Sequence, residues 1–126
     1  MKLRVGRMFE IGVSLDKLLS QQNELPLNVG YDLWKMKKQF DEIGSYVFER
    51  IKLVIPEERL AKNELDENEM AIYQMILGSE VEIVPFSVSK EMLFKNENIR
   101  LTVSEIADIM ELFDEKTVNN EPTGNF

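Results

Sequence analysis

The chain has 126 residues, 44% of them apolar, a formal net charge of −8, and neither cysteine nor histidine. This composition suits one globular domain with a real core and argues against general disorder. The missing cysteines exclude a disulfide framework, thiolate metal sites and thiol catalysis, and the missing histidines remove the commonest general base and metal ligand. No apolar run approaches membrane-span length, and the first residues lack the charged-then-apolar order of a secretion signal, so the expected setting is a cytoplasm.

In chain order, Leu3, Val5, Phe9, Ile11 and Val13 alternate with polar or small residues and predict a half-buried strand, with Gly6 and Gly12 marking a bulge or turn. A short helix follows, with Ser14 as N-cap and Leu15, Leu18 and Leu19 on one face. Leu25-Pro26-Leu27-Asn28 reads as a corner between two helices rather than a binding loop, with the two leucines stapling the entry of the next helix. That helix carries the clearest pattern in the chain. Leu33, Met36, Phe40, Ile43, Val47, Ile51 and Val54 recur every three or four positions, which predicts a helix over 29–54, capped by Asn28 and stopped by Pro56. Gly44, in its middle, predicts a bend or a close helix contact.

Residues 56–69 read as an acidic connection with a helical turn at 57–62. Met70, Tyr73, Ile76 and Leu77 predict a further helix ended by Gly78, and Val81 and Ile83 between glutamates predict a strand that Pro85 ends or interrupts. Residues 90–98 suit a helical turn and 99–103 a short extended piece. Thr102 and Glu105 match a capping box before a helix whose buried face is Ile106, Ile109, Met110 and Phe113. The predicted fold is helix-rich α+β: a long central helix packed with two or three shorter helices and a small two- to three-stranded β element, its two β segments pairing. The expected organisation is one globular domain over 1–113 and a polar tail over 114–126 that is mobile in isolation.

Known chemical motifs fail on spacing. A calcium loop drawn through the 66–80 carboxylates puts Met70 at a ligand position and Ala71 where glycine is required. Gly6 and Gly12 are wrongly spaced for a phosphate loop, and no serine has a histidine to form a triad. No catalytic, cofactor or metal residue is assigned, and the chain is read as non-enzymatic.

Charge is unevenly distributed. Residues 1–55 carry nine basic and seven acidic side chains, and residues 56–126 carry six and sixteen. The acidic part repels nucleic acid and anionic membrane, so neither is expected as a direct partner. Glu64, Asp66, Glu67 and Glu69 make either a solvated linker or an acidic patch that docks on a basic partner. Lys35, Lys37 and Lys38 beside Trp34 have the composition of a nucleic-acid surface. Asp41 and Glu42 at helical spacing instead suit local ion pairs on a solvated face. Trp34, Tyr46 and Phe48 cannot share the long helix's apolar stripe. They predict an aromatic contact site along 34–48, for a second copy of the chain or another protein.

The pieces "ELPLNVGYDLWKM", "FERIKLVI", "ILGSEVEIVPFSVS" and "LTVSEIADIMELF" resemble, in order and layout, a family of small proteins of unknown function encoded by bacteriophages and prophages. The resemblance implies a phage origin and a host cytoplasm or virion as location, and supplies no site residues. It points to a protein that works through protein–protein contact, as a minor virion component or assembly factor. The alternative is a host-directed inhibitor, anti-defence or imitating nucleic acid, that uses its acidic C-terminal half.

Overall fold

A computed structural model describes residues 1–114, and the tail expected over 114–126 lies, from residue 115 on, outside the described residues. The described chain folds as β1 (Lys2–Arg4), α1 (Val5–Leu19), a 3-10 turn (Gln22–Glu24), α2 (Leu27–Lys52), α3 (Glu57–Ala61), α4 (Glu67–Leu77), β2 (Glu80–Glu82), α5 (Lys90–Phe94) and α6 (Val103–Met110). This is a helix-rich α+β architecture. The long α2 packs on shorter helices, and β1 and β2 pair antiparallel with Leu3 opposite Val81. The sheet places Lys2 opposite Glu82 and Arg4 opposite Glu80, favourable cross-strand charge pairs.

The N-terminal region departs most from its predicted form. The strand stops at Arg4, and α1 begins at once. Val5, Met8, Ile11, Leu15 and Leu18 are its buried apolar residues, spaced three or four apart. The alternation of Val5, Phe9, Ile11 and Val13 was therefore accidental: Phe9 and Val13 lie on the exposed side of the helix. Helical period wins because that face packs against both α2 and α6. Ser14 is thus no N-cap. It sits buried in the third turn of α1, and its Oγ donates to Asp108 Oδ2 at 2.7 Å.

The start of α2 is also corrected. Pro26 is its N-cap residue without a side-chain cap, and its carbonyl accepts from Val29 and Gly30. Asn28 already lies inside the helix. Leu25 packs on the core, but Leu27 is 89% exposed and staples nothing. At the other end α2 stops at Lys52, so Val54 turns outward and Ile55 is the buried residue. The capping boxes of α4 (Asp66, Glu69) and α6 (Thr102, Glu105) are complete. Ile109 and Phe113 are buried as expected, whereas Ile106 is on the exposed side and Met110 part-buried. Residues 99–102 form no strand. Gly78 ends α4 with right-handed φ, and the one described residue with positive φ outside glycine is Asn63, between α3 and α4.

Two apolar clusters make the interior. The larger joins α1, the first half of α2, Ile83, Phe86, Leu93 and the end of α6. The smaller joins Val5, Val47, Ile51 and Ile55 under α3 and α4. Part-buried Ile43 and Val81 belong to both, so the core is continuous.

Candidate functional site

An open groove of about 710 Å³ lies between α1 and α2. Its floor is Met8, Gly12, Phe40, Gly44 and Val47, and Leu60 and Tyr73 close its far end. Phe9 (41% exposed), Val13 (72%) and Phe48 (41%) stand on its rim. Small residues line the groove where the two helices face each other. A β-carbon at Gly12 would stand 3.5 Å from the Phe40 ring, and one at Gly44 would stand 3.7 Å from Phe9. These are ordinary van der Waals distances, so the glycines keep the floor low without being sterically required. The expected close contact at Gly44 is this approach of Phe9.

One end of the groove is charged. Lys37 Nζ lies 2.7 Å from Asp16 and 3.1 Å from Asp41, tying α1 to α2. Hydrogen bonding to Asp16 first, then to Asp41, raises the Lys37 pKa and keeps it protonated. Of the local pairs expected, Asp41 with Lys37 forms, whereas neither Asp41 nor Glu42 comes within 4 Å of the Lys38 ammonium.

Trp34, Tyr46 and Phe48, expected to share one contact site, lie in three places. Tyr46 is twelve positions from Trp34 in sequence, which places it about 120° around α2. It is 62% exposed, and its hydroxyl accepts from Arg50 at 3.4 Å. Phe48 joins the groove, about 21 Å along the axis from Trp34. Trp34 has a partner that sequence reading passed over. Tyr31, one turn earlier, stacks on it with ring centroids 5.8 Å apart and planes 18° from parallel. Lys35 Nζ stands 4.9 Å from the Tyr31 ring centre and Lys38 Nζ 5.2 Å from that of Trp34. The spacing of three between Tyr31 and Trp34 was the available signal.

The acidic candidates divide by role. Asp66 caps α4, and Glu69 completes the capping box. Both also approach Arg59, Glu69 at 2.6 Å and Asp66 at 3.6 Å, so Glu69 is buried and structural. The bond that Asp66 accepts from the Glu69 backbone is the main cause holding its carboxyl below the usual range. Glu64 and Glu67 are exposed and have no basic side chain within 4 Å among the described residues. No group of three carboxylates converges as a metal site among the described residues.

Polar clamps hold the scaffold elsewhere, at residues that do not line the groove. Asp32, buried in α2, accepts from the backbone N–H groups of Ser87 (2.8 Å) and Val88 (3.1 Å). Gln39 mimics a neighbouring strand: its Nε2 donates to the Val84 carbonyl at 2.9 Å, and its Oε1 accepts from the Val84 N–H at 2.8 Å. Between α1 and α6, Arg7 bonds Glu111 and Asp108, and Ser14 bonds Asp108. The Ser14 hydroxyl first, then Arg7, holds the Asp108 carboxyl below its ordinary pKa, while Glu111 chiefly raises that of Arg7. Among the described residues, no buried side-chain polar atom lacks a partner. The described surface carries an apolar groove, an aromatic ledge with two lysines, and exposed carboxylates at the α3–α4 corner. No described helix is long and apolar enough to cross a membrane. Compared with known proteins, the chain matches no family model, no curated protein and no solved structure.

Proposed function

We propose that this protein acts by protein–protein contact rather than catalysis, seating an amphipathic helix of a partner in the α1–α2 groove. The observation that carries this reading is the apolar rim: Phe9, Val13 and Phe48 stand exposed around a floor that is itself apolar. Aromatic and aliphatic anchors beside a concave apolar floor suit helix-in-groove recognition. From Lys37 to Ile51 the groove runs about 21 Å along α2, the length of about four helical turns. The Asp16–Lys37–Asp41 cluster at one end offers polar contacts that fix direction.

The setting proposed is a bacteriophage, with the protein as a minor virion component or assembly factor. That part rests on the layout resemblance of the four sequence segments to small phage and prophage proteins. A photo-crosslinking residue in place of Val13, introduced in cells producing the phage, tests both parts. A crosslink to a particle protein, with fixed copy number in purified particles, is expected. A crosslink to a host enzyme, with none in particles, would replace assembly by host inhibition. Crosslinking no stronger at 13 than at exposed Leu27, outside the groove, would remove the groove from the proposal.

A further inference from the structure

The ledge on α2 is a second surface, separate from the groove. Tyr31 (56% exposed) and Trp34 (51%) form a stacked platform that faces outward. Lys35 and Lys38 hold their ammonium groups over its two rings. Lys35 has only Asp32 near it, at 3.7 Å, and Lys38 has no carboxylate within 4 Å among the described residues. Under-neutralised lysines attract a carboxylate-bearing segment, and their stems and the exposed rings offer it apolar contact.

The chain itself contains such a segment. The α3–α4 corner exposes Glu64 and Glu67, neither with a basic side chain within 4 Å among the described residues, and exposed Glu57 and Glu58 adjoin them, with exposed Lys62 between. A molecule cannot bring its own corner to its own ledge. Leu60 and Leu65 anchor the corner against Val47, Ile51 and Ile55, and Lys38 lies about 21 Å before the end of α2.

We propose that copies of this chain associate head to tail, the Tyr31–Trp34 ledge of one copy, with Lys35 and Lys38, seating the Glu64–Glu67 corner of the next. Every copy carries both halves of the contact, so the complementary surface is present at the protein's own concentration. The net charge of −8 opposes association in general. At physiological ionic strength, however, charges more than about 8 Å apart are screened, so the local pairing of opposite charges decides. Two different patches meet, so the contact is heterologous and propagates into open chains or rings rather than closing as a two-fold dimer. This inference does not depend on the groove.

Light scattering after size exclusion, run from micromolar to millimolar protein at about 0.15 M salt, should show mass rising beyond that of a dimer. In about 1 M salt, where screening reaches ~3 Å, the mass should return to that of the monomer. Charge reversal supplies the specific test. K35E/K38E alone and E64K/E67K alone should each stay monomeric, and an equimolar mixture should associate again, because each ledge then meets a corner of opposite sign. Far-UV circular dichroism establishes that each variant is folded. Should one fold poorly, the wild-type Trp34 fluorescence gives an independent reading, shifting to the blue with concentration as the indole is covered. A wild-type monomer at all concentrations, folded reversal variants that still associate alone or fail to associate when mixed, or unchanged fluorescence would each overturn the proposal. A wild-type monomer that instead binds a poly-glutamate peptide would assign the ledge to a different acidic protein.

Discussion

The first half of α2 packs against α1 and shares its apolar cluster with the Ile83–Phe86 segment and the end of α6, whereas the second half is roofed by two short helices and one edge of the sheet. In the first half Val29, Leu33, Met36 and Phe40 reach a cluster that includes Ile11, Ile83, Phe86 and Ile109. Asp32 and Gln39 also bond to backbone more than forty residues away. In the second half Val47, Ile51 and Ile55 meet mostly part-buried side chains, and the polar bonds at the α3–α4 corner are local ones, Asp66 with Glu69 and both with Arg59. Apolar contacts from distant sequence hold both ends of the helix, but only the first end adds long-range polar bonds to them. The second end is accordingly expected to open first, since local stability follows buried apolar contact. Hydrogen exchange should show slower amides over 33–40 than over 47–52, and equal protection would erase the distinction.

The largest effect is expected at Phe40, which belongs to the larger cluster and also floors the groove. Phe40→Ala should cost about 3–5 kcal/mol in urea denaturation. An unchanged midpoint would mean that the first half is not the anchor. Ile51→Ala tests the other end. It should cost about 2–3 kcal/mol, toward the low end of the usual range, because its part-buried neighbours are free to collapse into the space. A loss equal to that of Phe40→Ala would make the two halves energetically alike.

Asp32→Ala should cost about 1–3 kcal/mol, because the N–H groups of Ser87 and Val88 lose their acceptor. Proteolysis should then reach the 84–88 segment while leaving the α3–α4 corner as resistant as before. Cleavage that increased equally at both places would break the link between Asp32 and one half alone.

The α1–α6 seam gives a pH-dependent check. Ser14 and Arg7 depress the Asp108 pKa in the folded chain. The resulting stabilisation is present above the unfolded carboxyl pKa of about 3.9 and disappears as pH falls through the lower folded value. The stability gap between wild type and Asp108→Asn should therefore be constant near neutrality and shrink below about pH 4. A gap that widened on acidification would contradict the seam's polarity. The smallest effect is expected at Gly12. Gly12→Ala meets Phe40 at ordinary contact distance and improves helix propensity, so stability should change by less than about 1 kcal/mol. A change above that would mean the floor of the groove is tighter than its geometry.

The periodic apolar residues of α2, the capping box at Thr102, the stop before Pro56 and the pairing of two β segments were all legible in sequence, whereas the capping box at Asp66 was passed over. Each depends on residues within a few positions or on a repeat longer than any competing one. The period of 3.5 to 3.6 over seven turns of α2 has no strand alternative. The run from Val5 to Val13 is short enough to satisfy period two and period 3.6 together. Only the arrival of α2 and α6 on one side selected Met8, Ile11 and Leu15 as the buried set and sent Phe9 and Val13 to the groove rim. Sequence likewise placed Trp34, Tyr46 and Phe48 off the apolar stripe, but not on which side each would stand. Helical angle separates Tyr46 from the other two, and axial distance separates Trp34 from Phe48. The bonds of Asp32 and Gln39 join residues 45 to 56 positions apart, and no local pattern encodes such partners. Propensity and capping act through neighbours along the chain, so they are readable before folding. Burial and long-range hydrogen bonds depend on which surfaces meet, which tertiary structure alone decided.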